Sequence, residues 1–322
     1  MNAESTSTPR PDRADETPVI EGKALALGFS GRCLFENLRI AVSDGNVLGL
    51  IGPSGCGKTS VGKILCGMHK ADSGEVRVNG IDLDLVDPAD VPIMNWQTAS
   101  LFDHLNVRQN IELGTKIRRV PENLARSRSD DLVERLGLSA VVDAYPARLS
   151  GGERARVALA RTFAVDPKIV ILDEPFANLD VLSRDAALSL IRARMNRPDR
   201  ATILISHSIT DAADLCHQIL VLDRNRPLAA VNPDQLIHQP RSAFEAHFTG
   251  RWGIVGATID AISDRVVRCN TVHGKVEARL AHWLADWEPK IGERIAIIDD
   301  QNSIQSARTV GVKEGTKIAI PE

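Results

Sequence analysis

Residues 47–59 read VLGLIGPSGCGKT. The apolar run from Val47 to Ile51 has the length of a buried strand, and it passes straight into a glycine-rich stretch, Gly52 to Thr59, that fits G-x-x-x-x-G-K-[ST]. Behind it, Thr59 to Met68 carries Val61, Ile64 and Leu65 at helical spacing. Strand, loop and helix in that order are what a phosphate cradle needs, because inward N–H groups and a helix amino terminus both attract anions. Gly52, Gly55 and Gly57 let the backbone turn inward, with Pro53, Ser54 and the small Cys56 between them and Ser60 following. Lys58 supplies a mobile cation for the outer phosphates of a nucleotide, and the Thr59 hydroxyl is placed for Mg²⁺.

Two further apolar runs, Ile169 to Leu172 and Thr202 to Ile205, lack the alternation of a half-exposed strand and predict parallel strands covered on both faces. Each ends in polar residues, Asp173-Glu174 and Ser206-His207, at the carboxyl ends of strands, where open α/β sheets collect ligands. A carboxylate at Asp173 suits a hard cation beside phosphates. Glu174 is the candidate to accept a proton from an attacking water or to fix its direction. Between Gln97 and Ser150, charge and helical periodicity replace strand signal and predict a helical insertion. It ends in LSGGE, Leu149 to Glu153, where Ser150 is a good N-cap and Val157, Ala160 and Ala164 form an apolar stripe behind it. Ser150, Gly151, Gly152 and Glu153 thereby open a helix whose free N–H groups suit an anion. Since the insertion carries this helix away from its own chain's phosphate loop, a second copy of the chain is the expected recipient.

Around this centre, Glu21 to Gly80 alternates at Val76 and Val78, has an apolar stretch at Leu38 to Val42, and shows turn signals at Asp44-Gly45 and Ser73-Gly74, predicting an antiparallel layer. Past about Arg241 come short strand-like pieces, Gly253 to Ile259, Arg265 to Arg268, Lys275 to Leu280 and Arg294 to Ile298, which predict a small β-barrel or sandwich. Trp252, Trp283 and Trp287 either line a pocket there or pack its core. Residues 1–20 are polar and dotted with proline, too poor in apolar surface to offset ordering, and read as a disordered tail. The predicted division is a tail at 1–20, a nucleotide-binding domain at 21–240 and a β domain at 241–322, which suits a chain of 322 residues. A net charge of -3 with both signs interspersed argues against nucleic acid as a partner. Cys33, Cys56, Cys66, Cys216 and Cys269 show neither metal spacing nor a disulfide framework and point to a reducing compartment. No apolar run approaches the ~18 residues that cross a bilayer.

GPSGCGKT, Gln97, LSGGE, ILDEP at Ile171 to Pro175 and SHS around His207 follow one another in a fixed order. Over about residues 21–240 the chain therefore resembles the ATP-binding subunit of an ATP-binding cassette (ABC) transporter. That resemblance implies an α/β P-loop NTPase cassette that binds ATP and Mg²⁺ and hydrolyses ATP. It makes Gln97 a sensor of Mg²⁺ and of a membrane subunit's position, His207 the switch residue at the γ-phosphate, and Ala177 to Asp180 the loop crossing the seam between two cassettes. Phe29, 23 residues before Gly52, takes the place of an aromatic ring that stacks on adenine. Glu153 for the usual Gln, Thr59-Ser60 for Ser-Thr, and Asn178 in the seam loop are conservative departures that remove no phosphate, metal or proton-transfer group. Trp96, where such chains show Phe, either joins Leu101 and Phe102 facing a membrane partner or belongs to the core.

From about Phe248 the chain resembles the TOBE-type, OB-like β domain of many bacterial importer subunits, which supports the dimer, binds a regulator or serves stability alone. The resemblance implies a peripheral ATPase on the cytoplasmic face of the inner membrane. It would dimerise around two ATP and drive uptake through integral membrane permease subunits served by an extracytoplasmic solute-binding protein. The rival reading is a soluble cassette ATPase acting on nucleic acid or ribosomes, and it lacks the coiled-coil arms, paired cassettes and basic surface such a protein would need.

Overall fold

The three apolar runs form the middle of a six-stranded sheet. Val47–Ile51 (β3), Ile169–Asp173 (β7) and Ala201–Ser206 (β8) are buried at every position and pair in parallel, β3 with β8 and β8 with β7. Ile93–Asn95 (β6) extends the sheet beyond β7, Gln218–Asp223 (β9) lies beside β3, and the short antiparallel Arg226–Pro227 (β10) completes the order β10-β9-β3-β8-β7-β6. The structure is a computed structural model and describes residues 17–29, 31–177, 179–195, 197–223, 226–227, 229–271, 274–281, 287–300 and 318–321.

Strand pleating divides the apolar side chains between two cores. Leu48, Leu50, Ile171, Ile203, Ile205 and Leu220 face a layer built from Lys58–Leu65 (α1) and an antiparallel sheet. That second sheet has the order β2-β1-β4-β5, from Ile20–Phe29 (β1), Arg32–Val42 (β2), Ser73–Val78 (β4) and Ile81–Asp82 (β5). Val47, Ile51, Val170, Leu172, Leu204 and Val221 face the other way. There they meet Val107–Ile117 (α2), Glu122–Arg135 (α3), Gly151–Ala164 (α4), Val181–Met195 (α5) and Ile209–Leu215 (α6). Each fully buried Leu or Ile contributes about 1.5–3 kcal/mol relative to an exposed one, so this two-sided burial dominates the fold's stability. The helical insertion predicted between Gln97 and Ser150 is α2 and α3, with α2 started by an Asn106–Gln109 capping box.

The third unit is a closed barrel, which leaves no unpaired edge. Trp252–Ser263 (β11), Val266–Thr271 (β12), Gly274–Leu280 (β13), Arg294–Asp300 (β14) and Ile318–Pro321 (β15) close in the order β11-β12-β13-β15-β14. Trp287 packs against its core of Ile259, Val267, Cys269 and Ile295, which favours the packing role. Trp283 and the Trp252 side chain lie outside the described residues.

Two sequence expectations are corrected. The tail does not reach residue 20: Val19 donates its N–H to Val42 O, and Ile20 opens β1 at 0% exposure, because this apolar pair completes the antiparallel layer. Residues 1–16 lie outside the described residues. Ser73-Gly74 is not a turn but the start of β4. There β1 bulges, with register shifting between Lys23 and Ala26, and a Cβ on Gly74 would stand 2.5 Å from Lys23 O, so glycine marks a close backbone approach. The strand pieces read from Gly253 onward begin at Trp252, and between Arg241 and that strand Ser242 caps the helix Ala243–Thr249 (α8), which follows Pro233–His238 (α7). Arg241 and the fully buried Glu245 are ion-paired across that cap.

Candidate active site

The loop Gly52–Gly57 leaves the carboxyl end of β3 and delivers the chain to the amino terminus of α1, whose N-cap is Gly57 at φ 101°. Only glycine takes that conformation without strain. A Cβ there would also press on the Phe35 ring at 3.2 Å. Lys58 folds back over the loop, donating to Gly52 O at 2.8 Å and Pro53 O at 3.0 Å. These carbonyls hold the ammonium group at the loop, within the cleft it would share with phosphates.

Asp173, Glu174 and His207 arrive from the ends of β7 and β8, as expected for neighbouring parallel strands. With Ser54, Gly55, Gly57, Lys58, Thr59, Ser60 and Gln97 they line one cleft of ≈ 500 Å³. Thr59 Oγ1 donates to Asp173 Oδ2 at 2.8 Å. The other oxygen, Asp173 Oδ1, is buried with no hydrogen-bond partner. A buried carboxylate oxygen left open beside a hydroxyl fits a divalent cation held next to phosphates, since such an atom otherwise bears its full desolvation cost. Burial pushes the Asp173 carboxyl above the usual carboxylate range; the Thr59 hydrogen bond opposes that rise and the Glu174 charge adds to it.

Glu174 sits at φ 48°, a left-handed conformation uncommon for this residue type. Its N–H donates to Ile205 O at 2.9 Å, which pins the backbone to β8, and its Oε1 lies 2.8 Å from His207 Nδ1. Strain at a site residue is tolerated when the surroundings hold it, and it aims the carboxylate into the cleft rather than along the strand. Thus one strand end and the residue after it bring two carboxylates into the same cleft.

Phe29 does not line the cleft; it stands 65% exposed at the end of β1, whereas Leu34 of β2 does line it. Ser150, Gly151, Gly152, Glu153 and Asp180 are also outside it. Ser150 caps α4 through a capping box, its Oγ accepting from Glu153 N while Glu153 Oε2 accepts from Ser150 N at 2.8 Å and Ser150 Oγ at 2.7 Å. The Ser150 hydroxyl and N–H hold the Glu153 carboxyl below the usual range. Asp180 accepts from Ser183 N and Oγ at the start of α5. Trp96 packs against the core shared with α1, under the Lys63 ammonium, and Phe102 stays 44% exposed beside Arg161. The left-handed Glu174, the Thr59–Asp173 bond and Leu34 were not foreseen from the sequence. No sequence signal marks Leu34, whereas adjacent acids at a strand end could have suggested a turned backbone.

A glycine loop at the carboxyl edge of a parallel sheet, with an acid pair and a histidine converging on it, defines a P-loop ATPase cassette. Residues 35–177 match the family described as ABC transporter. The chain is 33% identical over 216 residues to a probable sulfate/thiosulfate import ATP-binding protein of Chlorella vulgaris, covering 67% of this chain and 92% of that one. It is 30% identical over 296 residues to a spermidine/putrescine import ATP-binding protein of Pseudomonas aeruginosa, covering 91% and 80%. Of two longer sulfate/thiosulfate relatives it spans 63% and 62%. A solved structure titled as the ATP-binding subunit of an ABC transporter superposes with a TM-score of 0.62 at 25% identity, covering 69% of this chain and 92% of that one. The chain belongs to the ABC transporter family of ATP-binding subunits. Its cofactors are ATP and Mg²⁺, and its reaction is ATP hydrolysis coupled to transport. Among the described residues no helix is long and apolar enough to cross a membrane.

Proposed function

We propose that the chain acts as one half of a dimer closed around two ATP molecules, each protomer lending its Ser150-capped α4 to the other's nucleotide. The observation that carries this reading is that the amino terminus of α4, with Ser150 and Gly151 exposed, lies outside the cleft lined by Ser54, Gly55, Lys58, Thr59, Asp173 and Glu174. Val181 and Leu182, directly after Asp180, support it, being 74% and 81% exposed where a seam would cover them. Within each cleft Gly52 to Ser60 bind the phosphates, Lys58 balances their charge, and Thr59, Asp173 and Gln97 hold Mg²⁺, which when bound neutralises charge on the outer phosphates. Glu174 takes the proton of the attacking water, oriented by His207. Phe29 offers its exposed ring to adenine.

Closure and reopening are passed to integral membrane permease subunits at the cytoplasmic face of the inner membrane. An extracytoplasmic protein delivers the solute, and those partners choose the cargo. The cassette spans about residues 21–240, and the barrel serves as a support or regulatory unit.

The test mixes two dead variants, Ser150→Arg and Lys58→Ala. In a mixed dimer one composite site is intact, so an equimolar mixture should recover roughly a quarter of wild-type turnover, half the dimers being mixed with one good site each. No recovery, with both variants folded and dimerising, overturns the composite site.

A further inference from the structure

At the end of the sheet opposite the phosphate loop, a second cleft of ≈ 220 Å³ opens where α3, the turn after α4 and the carboxyl end of α5 meet. Four guanidinium groups line it, Arg128 and Arg135 from α3 and Arg194 and Arg197 from α5 and its following turn, against only two carboxylates, Asp131 and Asp166. Beside it, Arg200 and Asp199 cancel one another. The lining therefore carries a surplus of two positive charges.

Most of the inward-facing arginines are engaged by the Asp166 carboxylate: Arg197 and Arg200 donate to it at 2.8 and 3.0 Å, Arg128 at 3.4 Å, and Arg194 pairs with it at 3.6 Å. Arg194 is the exception in one respect. Its side chain is 6% exposed and also donates to Pro167 O, yet its Nε is buried with no hydrogen-bond partner. Burial, reinforced by Arg200 and Arg197 and opposed by Asp166, pushes this guanidinium down to about 10. Arg135, on the rim, has only a 3.5 Å pair with Asp131. Phe163 and Leu190 give the cleft an apolar floor. Water alone would leave two charges uncompensated, whereas planar guanidinium forks match the oxygens of tetrahedral oxyanions.

We infer that this cleft is a binding site for a small dianionic oxyanion of the phosphate or sulfate class, separate from the nucleotide site. The anion would sit between Arg128 and Arg135 on α3 and Arg194 and Arg197 of the α5 end, tying the helical insertion to the sheet-bound layer. A free inorganic ion and the phosphoryl group of a small metabolite share this chemistry.

Thermal unfolding tests the site with the nucleotide cleft first filled by a non-hydrolysable ATP analogue and Mg²⁺, so that the phosphate loop is not the reporter. Potassium sulfate and potassium phosphate should each raise the melting temperature in a saturable way that potassium chloride at matched ionic strength does not. Glucose 6-phosphate outperforming both would identify a phosphoryl metabolite as the better ligand. Arg135→Gln and Arg128→Gln, both partly exposed, should each weaken the apparent affinity by about tenfold through loss of a charge-assisted hydrogen bond. Arg126→Gln, on α3 but not in the lining, should leave it unchanged. An equal shift with chloride, no shift at all, a shift surviving in both cleft variants, or equal loss in Arg126→Gln overturns the assignment. None of these results bears on the dimer reading, which the mixed-variant assay addresses separately.

Discussion

Replacing Asp166 by Asn probes the arginine cluster with the least collateral change. Asp166 adopts φ 52°, a left-handed conformation that Asn accepts as readily as Asp, so the backbone is not disturbed. The side chain is 20% exposed and takes two short charge-assisted hydrogen bonds, from Arg197 at 2.8 Å and Arg200 at 3.0 Å. At about 1.5–3 kcal/mol each these amount to about 3–6 kcal/mol. Asn keeps one oxygen able to accept but loses the charge, so we expect roughly half to be lost, about 2–3 kcal/mol. For a cooperative unit of this size that corresponds to a fall of about 4–12 °C in melting temperature, measured by far-ultraviolet circular dichroism without nucleotide. The pH dependence has a definite sign. Burial favours protonation of Asp166, but the hydrogen bonds and charges of Arg200 and Arg197 outweigh it and hold the carboxyl below the usual range. A group depressed in the folded state stabilises above its ordinary value near 3.9 and loses that contribution as pH falls through the lower folded value. The gap between wild type and variant should be flat from about pH 5 to 8 and close below about pH 4. A loss under about 0.5 kcal/mol at neutral pH, or a gap that widens in acid, would refute the argument.

Glu174→Gln should keep ATP binding while lowering hydrolysis by about 10²–10⁴ and accumulating a nucleotide-bound dimer on size exclusion; unchanged turnover would remove Glu174 from the chemistry. Leu182→Asp should leave the melting temperature of the nucleotide-free monomer nearly unchanged, because the side chain is 81% exposed, yet abolish ATP-dependent dimerisation. Normal dimer formation in that variant would place the seam elsewhere.

The parallel core was readable because its strands are apolar throughout. Val47–Ile51 matches β3 residue for residue, and β7 and β8 extend the predicted runs by only one or two positions. The phosphate loop and the acid pair were legible for a related reason, since polar groups directly after such a strand have nowhere to go but its carboxyl end. What escaped depended on contacts between distant segments. β6 is three residues long and is a strand only because β7 is there to pair with it. Gly74 looks like a turn residue until β1 bulges against it. Ala243–Thr249 is too short for a clear helical period and is held by its Ser242 cap and by packing on both sides. The Arg194 cluster gathers residues from α3, α5 and two turns, a convergence that sequence spacing cannot reveal.

α8 is built into two cores at once: Phe244 and Phe248 rest against the helical side of the cassette, while Ala246, at 0% exposure, packs with Ala281, Ala296 and Ile298 of the barrel. It works as a rivet, not as a leash. Cutting the chain at residue 241 would take Phe244 and Phe248 off the cassette core and leave them uncovered on the barrel fragment, so neither fragment should behave as a healthy domain. A load placed on the barrel wall at Ile298 has a rigid, one-helix route to the motor.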